Sequence, residues 1–359
     1  MRVLNRIAVL KQKAFGKKGF DGFLVANETN QFYLSGAQGA SYLFIPEKGE
    51  STIYVSGTNC EQAKADGKGF RVELVKPDED FADKIAAQVK ICRVKKLAFD
   101  SLSINSYRHL AKRLGGMAKL KMQGNLISKL RSVKDEHELE LMRKAGELTS
   151  LGMKVAYETI RPGVKEIEAA AEIEYAMRRK GGWGTAFETI LASGAHSAFP
   201  HGGCTEREIR AGELVVIDIG ATYQHYCSDM TRTVVAGKPS EKQKKLYEVV
   251  RVAQEKAHEA IKPKARAKDI DTVARKVIED AGYGKYFVHG LGHGIGLEVH
   301  EELRLSQASK EKLMVGNVVT NEPGIYLVGF GGVRIEDTVL VRKRKAEKLT
   351  QGPYSLQIE

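Results

Sequence analysis

The sequence predicts an α/β (α+β) chain in two parts: an amino-terminal α/β domain over residues 1–125 and a larger domain over residues 126–359. Three observations carry this. Short apolar runs alternate with polar helical stretches up to about Asn125. A long amphipathic segment then opens near Ser132. After it, the order helix, helix, strands occurs twice, as if two similar halves were joined by a pseudo-twofold.

In the first part the runs DGFLVAN, SYLFIP, TIYVS, RVELV and KLAFD read as strands, and residues 78–90 and 105–114 as helices. No acid, base and nucleophile share a meaningful spacing there. In SVKDEHELELMRKAGELTSLGMKVAYETI, residues Leu139, Met142, Ala145, Leu148 and Leu151 form an apolar stripe. Ser132 with Asp135 resembles a capping box at its start, and Arg161-Pro162-Gly163 ends it. A second helix runs from about Lys165 to Arg179 and stops at Gly181-Gly182. TILASG, ELVVIDIG and YCSDMTRTVV follow as strands, then helices at about 240–261 and 268–281, then LEVH, VVTNEPGIYL and VRIEDTVLV as strands.

The bulk properties exclude several classes. With 42% hydrophobic and 28% charged residues and a mean hydropathy of −0.31, the composition is that of a globular protein. The amino-terminal apolar run Ile7–Leu10 is too short for a signal peptide, and no run approaches the ~18 apolar residues of a membrane span. A cytoplasmic protein without membrane contact is expected. Cys60, Cys92, Cys204 and Cys227 show no CxxC spacing and are expected as reduced packing residues. The net charge is +12, but the basic residues are dispersed and the one dense tract, Arg342–Lys348, lacks interleaved aromatics. A solvated surface is expected there, and nucleic acid is not expected as a partner.

Two aspartates interrupt ELVVIDIGATYQHYCSDMTRT. If residues 213–220 and 226–236 pair with a turn at Tyr223-Gln224, Asp218 lies opposite Asp229 on one face. Opposed buried carboxylates repel, and an unpaired buried ion costs several kcal/mol. A cation is the simplest remedy. The second half repeats the problem: Glu322 in TNEPG and Glu336 in RIEDT flank a turn supplied by Gly329, Gly331 and Gly332. Two divalent cations would neutralise the four carboxylates. HGLGHGIGLEVHE places His289, His293 and His300 between the hairpins, among glycines that let backbone approach closely. It is not a phosphate loop, because Ile295 stands where the third glycine would, and HEELR is not a zincin motif.

IDIGATYQHYCSDMTRT, HGLGHGIGLEVHE, TNEPGIY and GVRIEDTV, with ANETNQFYLSG at residues 26–36, resemble the creatinase/methionine-aminopeptidase superfamily of pita-bread metallopeptidases, in its proline-specific branch. The resemblance spans nearly the whole chain. It implies a creatinase-like amino-terminal domain and a pita-bread catalytic domain. It implies Asp218, Asp229, His293, Glu322 and Glu336 as metal ligands, with Asp229 and Glu336 bridging two ions. Asp218 would complete one ion's shell, and His293 with Glu322 the other's. His201 in AFPHG matches a substrate-side histidine, His289 and His300 match the remaining active-site histidines, and Arg334 matches an arginine that braces the site.

The implied chemistry is hydrolysis of an Xaa-Pro bond by a hydroxide bridging two metals. Glu322 would act as general base and return the proton to the leaving nitrogen. His300 would stabilise the oxyanion with a metal, and His289 would shuttle a proton or clamp the substrate. So oxygen-rich a ligand set suits Mn²⁺ or Co²⁺, with Zn²⁺ or Fe²⁺ also compatible. Creatinase-like relatives lack the ligand set, and methionine aminopeptidases lack so long an amino-terminal domain. Two activities remain: prolidase, acting on Xaa-Pro dipeptides, and aminopeptidase P, acting on longer peptides. Arg304, eleven residues after His293, matches a prolidase arginine that reads a dipeptide's carboxylate, although HEELR departs from the commoner HE-x-P-R. A pita-bread protein that binds peptide or nucleic acid without catalysis is the alternative from another class; such proteins lose ligands, and all five are present here. The resemblance also implies a homodimer.

Overall fold

A computed structural model describes residues 2–16 and 18–358. The chain divides into two compact units, Met1–Arg131 and Ser132–Glu359. The short helix Asn125–Arg131 belongs to the first unit: Arg131 donates from Nη1 to Asn30 Oδ1 at 2.9 Å, and Asn30 in turn donates to the buried Asp100 carboxylate at 2.9 Å. The division therefore falls six residues after the composition change at Asn125.

The first unit is a six-stranded mixed sheet. Its strands, in spatial order, are Arg71–Leu74, Thr52–Val55, Tyr42–Pro46, Gly22–Val25, Lys96–Phe99 and Lys119–Met122. The helices Phe81–Ile91 and Ile104–Leu114 bury Ile85, Val89, Leu110 and Leu114 in one apolar cluster with Leu24, Phe44, Tyr54 and Leu97. The sheet's last strand, Lys119–Met122, lies at the edge and is largely exposed; its Lys-Leu-Lys-Met alternation is only four residues long, with charge on either side of Leu120, so it does not stand out in the sequence.

The second unit repeats one plan. Helices Glu136–Thr159 and Glu166–Arg179 precede a four-stranded sheet, and helices Glu241–Ala260 and Ala267–Asp280 precede a five-stranded one. The first helix starts at Asp135, not Ser132. Asp135 accepts from the Glu138 N–H, and Glu138 accepts from the Asp135 N–H, each at 2.9 Å. Residues before it are held extended by the Val133–Asn317 bridge, so Ser132 cannot cap. Leu139, Met142, Ala145 and Leu148 are buried as the stripe predicts, but Leu151 is only half-buried and Gly152 and Met153 continue the face. A strict step of three drifts off a helix of 3.6 residues per turn.

Four predicted strands change. YCSDMTRTVV divides into Tyr226–Cys227 and Met230–Ala236, and VRIEDTVLV is divided between Gly331–Arg334 and Asp337–Leu340. LEVH is irregular, and the strand there is Glu301–Leu305. VVTNEPGIYL divides into Val318–Asn321 and Gly324–Leu327 at Glu322-Pro323. All four cysteines are free, with Cys60 and Cys227 buried. Among the described residues no helix is long and apolar enough to cross a membrane.

Candidate metal centre

Strand Leu214–Ile219 pairs with Met230–Ala236 in the register Asp218↔Thr231 and Ile219↔Met230. The turn lies at Gln224-His225, whose φ values are 44° and 72°, between the paired Tyr223 and Tyr226. Two positive φ values in a two-residue loop match the twist of a hairpin. Tyr226 is anchored there by its hydroxyl, which donates to Glu138 at 2.9 Å. Moving the turn one residue from Tyr223-Gln224 shifts the register by two. Asp218 is therefore not opposite Asp229. An even shift preserves the face, and the two aspartates become diagonal neighbours.

The second hairpin is continuous in register across a break. Asn321↔Asp337 and Gly324↔Arg334 bracket Glu322 and Glu336, which face one another where the ladder is interrupted. At that point their N–H groups go elsewhere: Glu322 donates to Leu291 O at 2.9 Å and Glu336 to Thr231 O at 3.0 Å. Each glutamate thus stitches its hairpin to another ligand-bearing segment. His293 lies in the short strand Gly292–Gly294, wedged between Glu301–Leu305 and Val318–Asn321. A Cβ on Gly292 would stand 2.2 Å from Thr320 O, so only glycine admits this approach.

These strands converge. Ligand atoms of Asp229, His293 and Glu336, all buried, lie within 4.8 Å of one another. His293 Nε2 is 3.8 Å from Asp229 Oδ2 and 3.4 Å from Glu322 Oε1. Asp218 Oδ2 accepts from Arg334 Nη2 at 2.6 Å. Asp218 Oδ1, Asp229 Oδ1 and Glu336 Oε1 are buried with no hydrogen-bond partner. An orphaned buried acceptor costs about 1–3 kcal/mol, and more when charged.

Burial, reinforced by the neighbouring carboxylates, raises Asp229 and Glu336 well above the ordinary carboxylate range. Burial also raises Glu322, to about 7. His293 is lowered to about 3, first by burial and then by His300. Its Nδ1 lies 3.1 Å from Gly294 O, which leaves Nε2 as a free lone pair turned towards the carboxylates. Three orphaned oxygens, a neutral imidazole and carboxylates that resist ionisation together fit divalent cations, which would supply the missing charge.

The remaining predicted residues lie around a cavity of about 670 Å³ lined by all five ligand candidates and by His201, His289, His300, Arg304 and Arg334. His300 is exposed, with its ring 4.3 Å from that of His293. His289 has both nitrogens engaged, Nδ1 with Gly290 O at 2.8 Å and Nε2 with the Tyr326 hydroxyl at 2.9 Å. Burial lowers it to about 4, so it is a neutral ring fixed in place. Arg304 pairs with His293 across the ladder, and two extra residues, Glu302 and Leu303, bulge before it. Leu303 takes φ 91°, which a proline fixed near −65° cannot adopt; leucine in HEELR has a backbone reason.

Three participants were missed from sequence. Arg334 donates to the Tyr326 hydroxyl at 2.8 Å and from Nε to Thr231 Oγ1 at 3.1 Å, and Thr231 donates to Glu336 at 2.6 Å. Thr320 donates to Glu322 at 3.1 Å while accepting from the His293 N–H at 3.0 Å. Thr231, Thr320 and Tyr326 stand two or four residues from a ligand candidate along the chain, so the two-residue period of a strand was the available signal.

Residues 140–343 match Metallopeptidase family M24, and residues 6–133 match the Creatinase/Prolidase N-terminal domain. The chain is 42% identical to an Xaa-Pro dipeptidase of Pyrococcus horikoshii over 341 residues, 95% of each chain. A solved Xaa-Pro dipeptidase from Bacillus anthracis superposes with a TM-score of 0.94 at 36% identity, covering 99% of this chain and 100% of that one. An X-Pro aminopeptidase structure from Thermotoga maritima superposes with a TM-score of 0.87 at 37% identity, covering 95% and 98%. The carboxylate-lined cavity and these likenesses agree: the chain belongs to metallopeptidase family M24, the pita-bread metallopeptidases, and is a hydrolase of peptides that works with divalent metal ions.

Proposed function

We propose that this protein is an Xaa-Pro dipeptidase in which Asp218, Asp229, His293, Glu322 and Glu336 would hold two divalent ions. The observation that carries the dipeptide reading is Arg304, an exposed guanidinium directly across the ladder from His293 and lining the same cavity. When bound, the ions lower the pKa of a water and polarise the scissile carbonyl. Mn²⁺ or Co²⁺ suits these oxygen-rich ligands.

The chain's own groups do the rest. Glu322 accepts one hydrogen bond, from Thr320, and can take a proton from water and deliver it to the proline nitrogen. Arg334 neutralises Asp218 and, through Thr231, orients Glu336. His300 and His201 donate to the carbonyl side of the substrate. His289, already bonded at both nitrogens, is better suited to hold Tyr326 than to shuttle a proton. The working form is proposed to be a homodimer in the cytoplasm.

The second reading, Xaa-Pro aminopeptidase, is favoured by the Thermotoga likeness. Hydrolysis of Xaa-Pro beside Xaa-Pro-Yaa, with Mn²⁺ and Co²⁺ supplied separately, decides between them. Faster turnover of the dipeptide is expected. A preference for the longer peptide overturns the dipeptidase reading, and no cleavage of either overturns the proline specificity.

A further inference from the structure

Glu188 lies outside the machinery described so far. It lies two residues before the strand Ile190–Ser193, whose first residue pairs with Asp218, and it lines the same cavity as Arg304. Its side chain is exposed and has no ion pair or hydrogen bond among the described residues. Two divalent ions would neutralise the four ligand carboxylates, which leaves Glu188 as the acid of the cavity wall on the Asp218 side. Arg304 is its counterpart on the His293 side. Phe187, Ile190 and Val299 line the cavity too.

A carboxylate in a cavity whose lining also includes Phe187, Ile190 and Val299 fits a group with an apolar stem and a cationic head. The substrate's α-ammonium is a poor match, because it lies two bonds from the scissile carbon and stays beside the ligands. Glu188 is two residues beyond the position facing Asp218, roughly 6–7 Å at the rise of an extended chain. That offset suits a charge at the end of a long side chain. We propose that Glu188 selects for Lys or Arg as the residue amino-terminal to the scissile bond; this rests on the Xaa-Pro reading above.

The test compares kcat/KM for Lys-Pro and norleucine-Pro, which differ in the terminal ammonium, using the metal-loaded full chain. A ratio within one protein is unaffected by any loss of folded enzyme. The wild type is expected to favour Lys-Pro by about two- to fivefold, the upper part of the range of an exposed ion pair. Glu188→Gln should bring the ratio near one, and Glu188→Lys should make Glu-Pro better than Gln-Pro. Equal ratios in wild type and Glu188→Gln, with Xaa-Pro still cleaved, overturn this inference and leave the Xaa-Pro reading standing. No cleavage of any Xaa-Pro peptide by the wild type overturns that reading and this inference with it.

Discussion

Glu322 carries two demands on one carboxylate. As a ligand it must be ionised, and as a base it must accept a proton, which favours a pKa close to neutrality. Its position, buried and raised to about 7, meets the second demand, and a bound cation would meet the first. Glu322→Gln keeps the shape and one oxygen but cannot take the proton. A fall of roughly 10²–10⁴ in kcat is expected, measured beside metal content, and an unchanged kcat at full occupancy would remove Glu322 from the role of base. Arg304 makes a different prediction. A charged hydrogen bond contributes about 1.5–3 kcal/mol, so its carboxylate contact should favour dipeptides by roughly 10- to 100-fold in kcat/KM. Arg304→Ala should erase that preference by weakening dipeptides and leave Xaa-Pro-Yaa nearly unchanged. Equal losses on both substrates would make it a structural arginine. The ligand candidates were legible as residues because acids inside apolar runs are anomalous. Thr231, Thr320 and Tyr326 were not, because hydroxyls in strands are common and their bonds run to segments as far as about a hundred residues away, as in Thr231–Glu336.

At the scale of elements, the site depends on strands that approach more closely than side chains permit. Gly292 and Gly294 let the His293 strand lie against Thr320 O and Glu302 O, where a Cβ would stand at 2.2 and 2.3 Å. Gly292→Ala should force the strands apart and cost about 1–3 kcal/mol by overpacking. Metal affinity should fall with stability, since His293 is adjacent. Gly57→Ala, where a Cβ would meet nothing within 4 Å, serves as the control and should stay within about 0.5 kcal/mol. Thermal melting with and without metal measures both, and an equally small effect at Gly292 would show that the strands can yield. Helix existence was readable from periodicity. The hairpin register was not, because the Gln224-His225 turn lacks the Asn-Gly signature of its conformation, and one residue of error at the turn moves every pair by two.

For the whole molecule, the metal and the proton compete for the same carboxylates. Glu322 rises from 4.5 to about 7 on folding without metal. Between those values the folded state holds more protons than the unfolded chain, so the metal-free protein loses stability as pH rises through this window. Bound cations need the ionised ligands, so their stabilisation grows over the same window. The Tm difference between Mn²⁺-loaded and chelator-treated protein should therefore widen from about pH 5 to about pH 7.5. A gap that narrows or stays constant would contradict a carboxylate-held metal. The two units, Met1–Arg131 and Ser132–Glu359, each have a core of their own, and the ligand candidates all belong to the second.

The sequence by itself determined the two-part α/β plan, the four long helices of the second unit and the identity of the acids and histidines that needed an explanation. Those features are written in local periodicity and in residues out of place for their surroundings. Tertiary structure alone decided that Asp218 is diagonal to Asp229, that Arg334 neutralises one carboxylate while bracing another through Thr231, and that His289 is tied at both ring nitrogens. Each of these is a meeting of segments distant in the chain. A hydrogen bond acts over about 3 Å, whereas sequence pattern specifies which face a residue takes and not which partner stands before it.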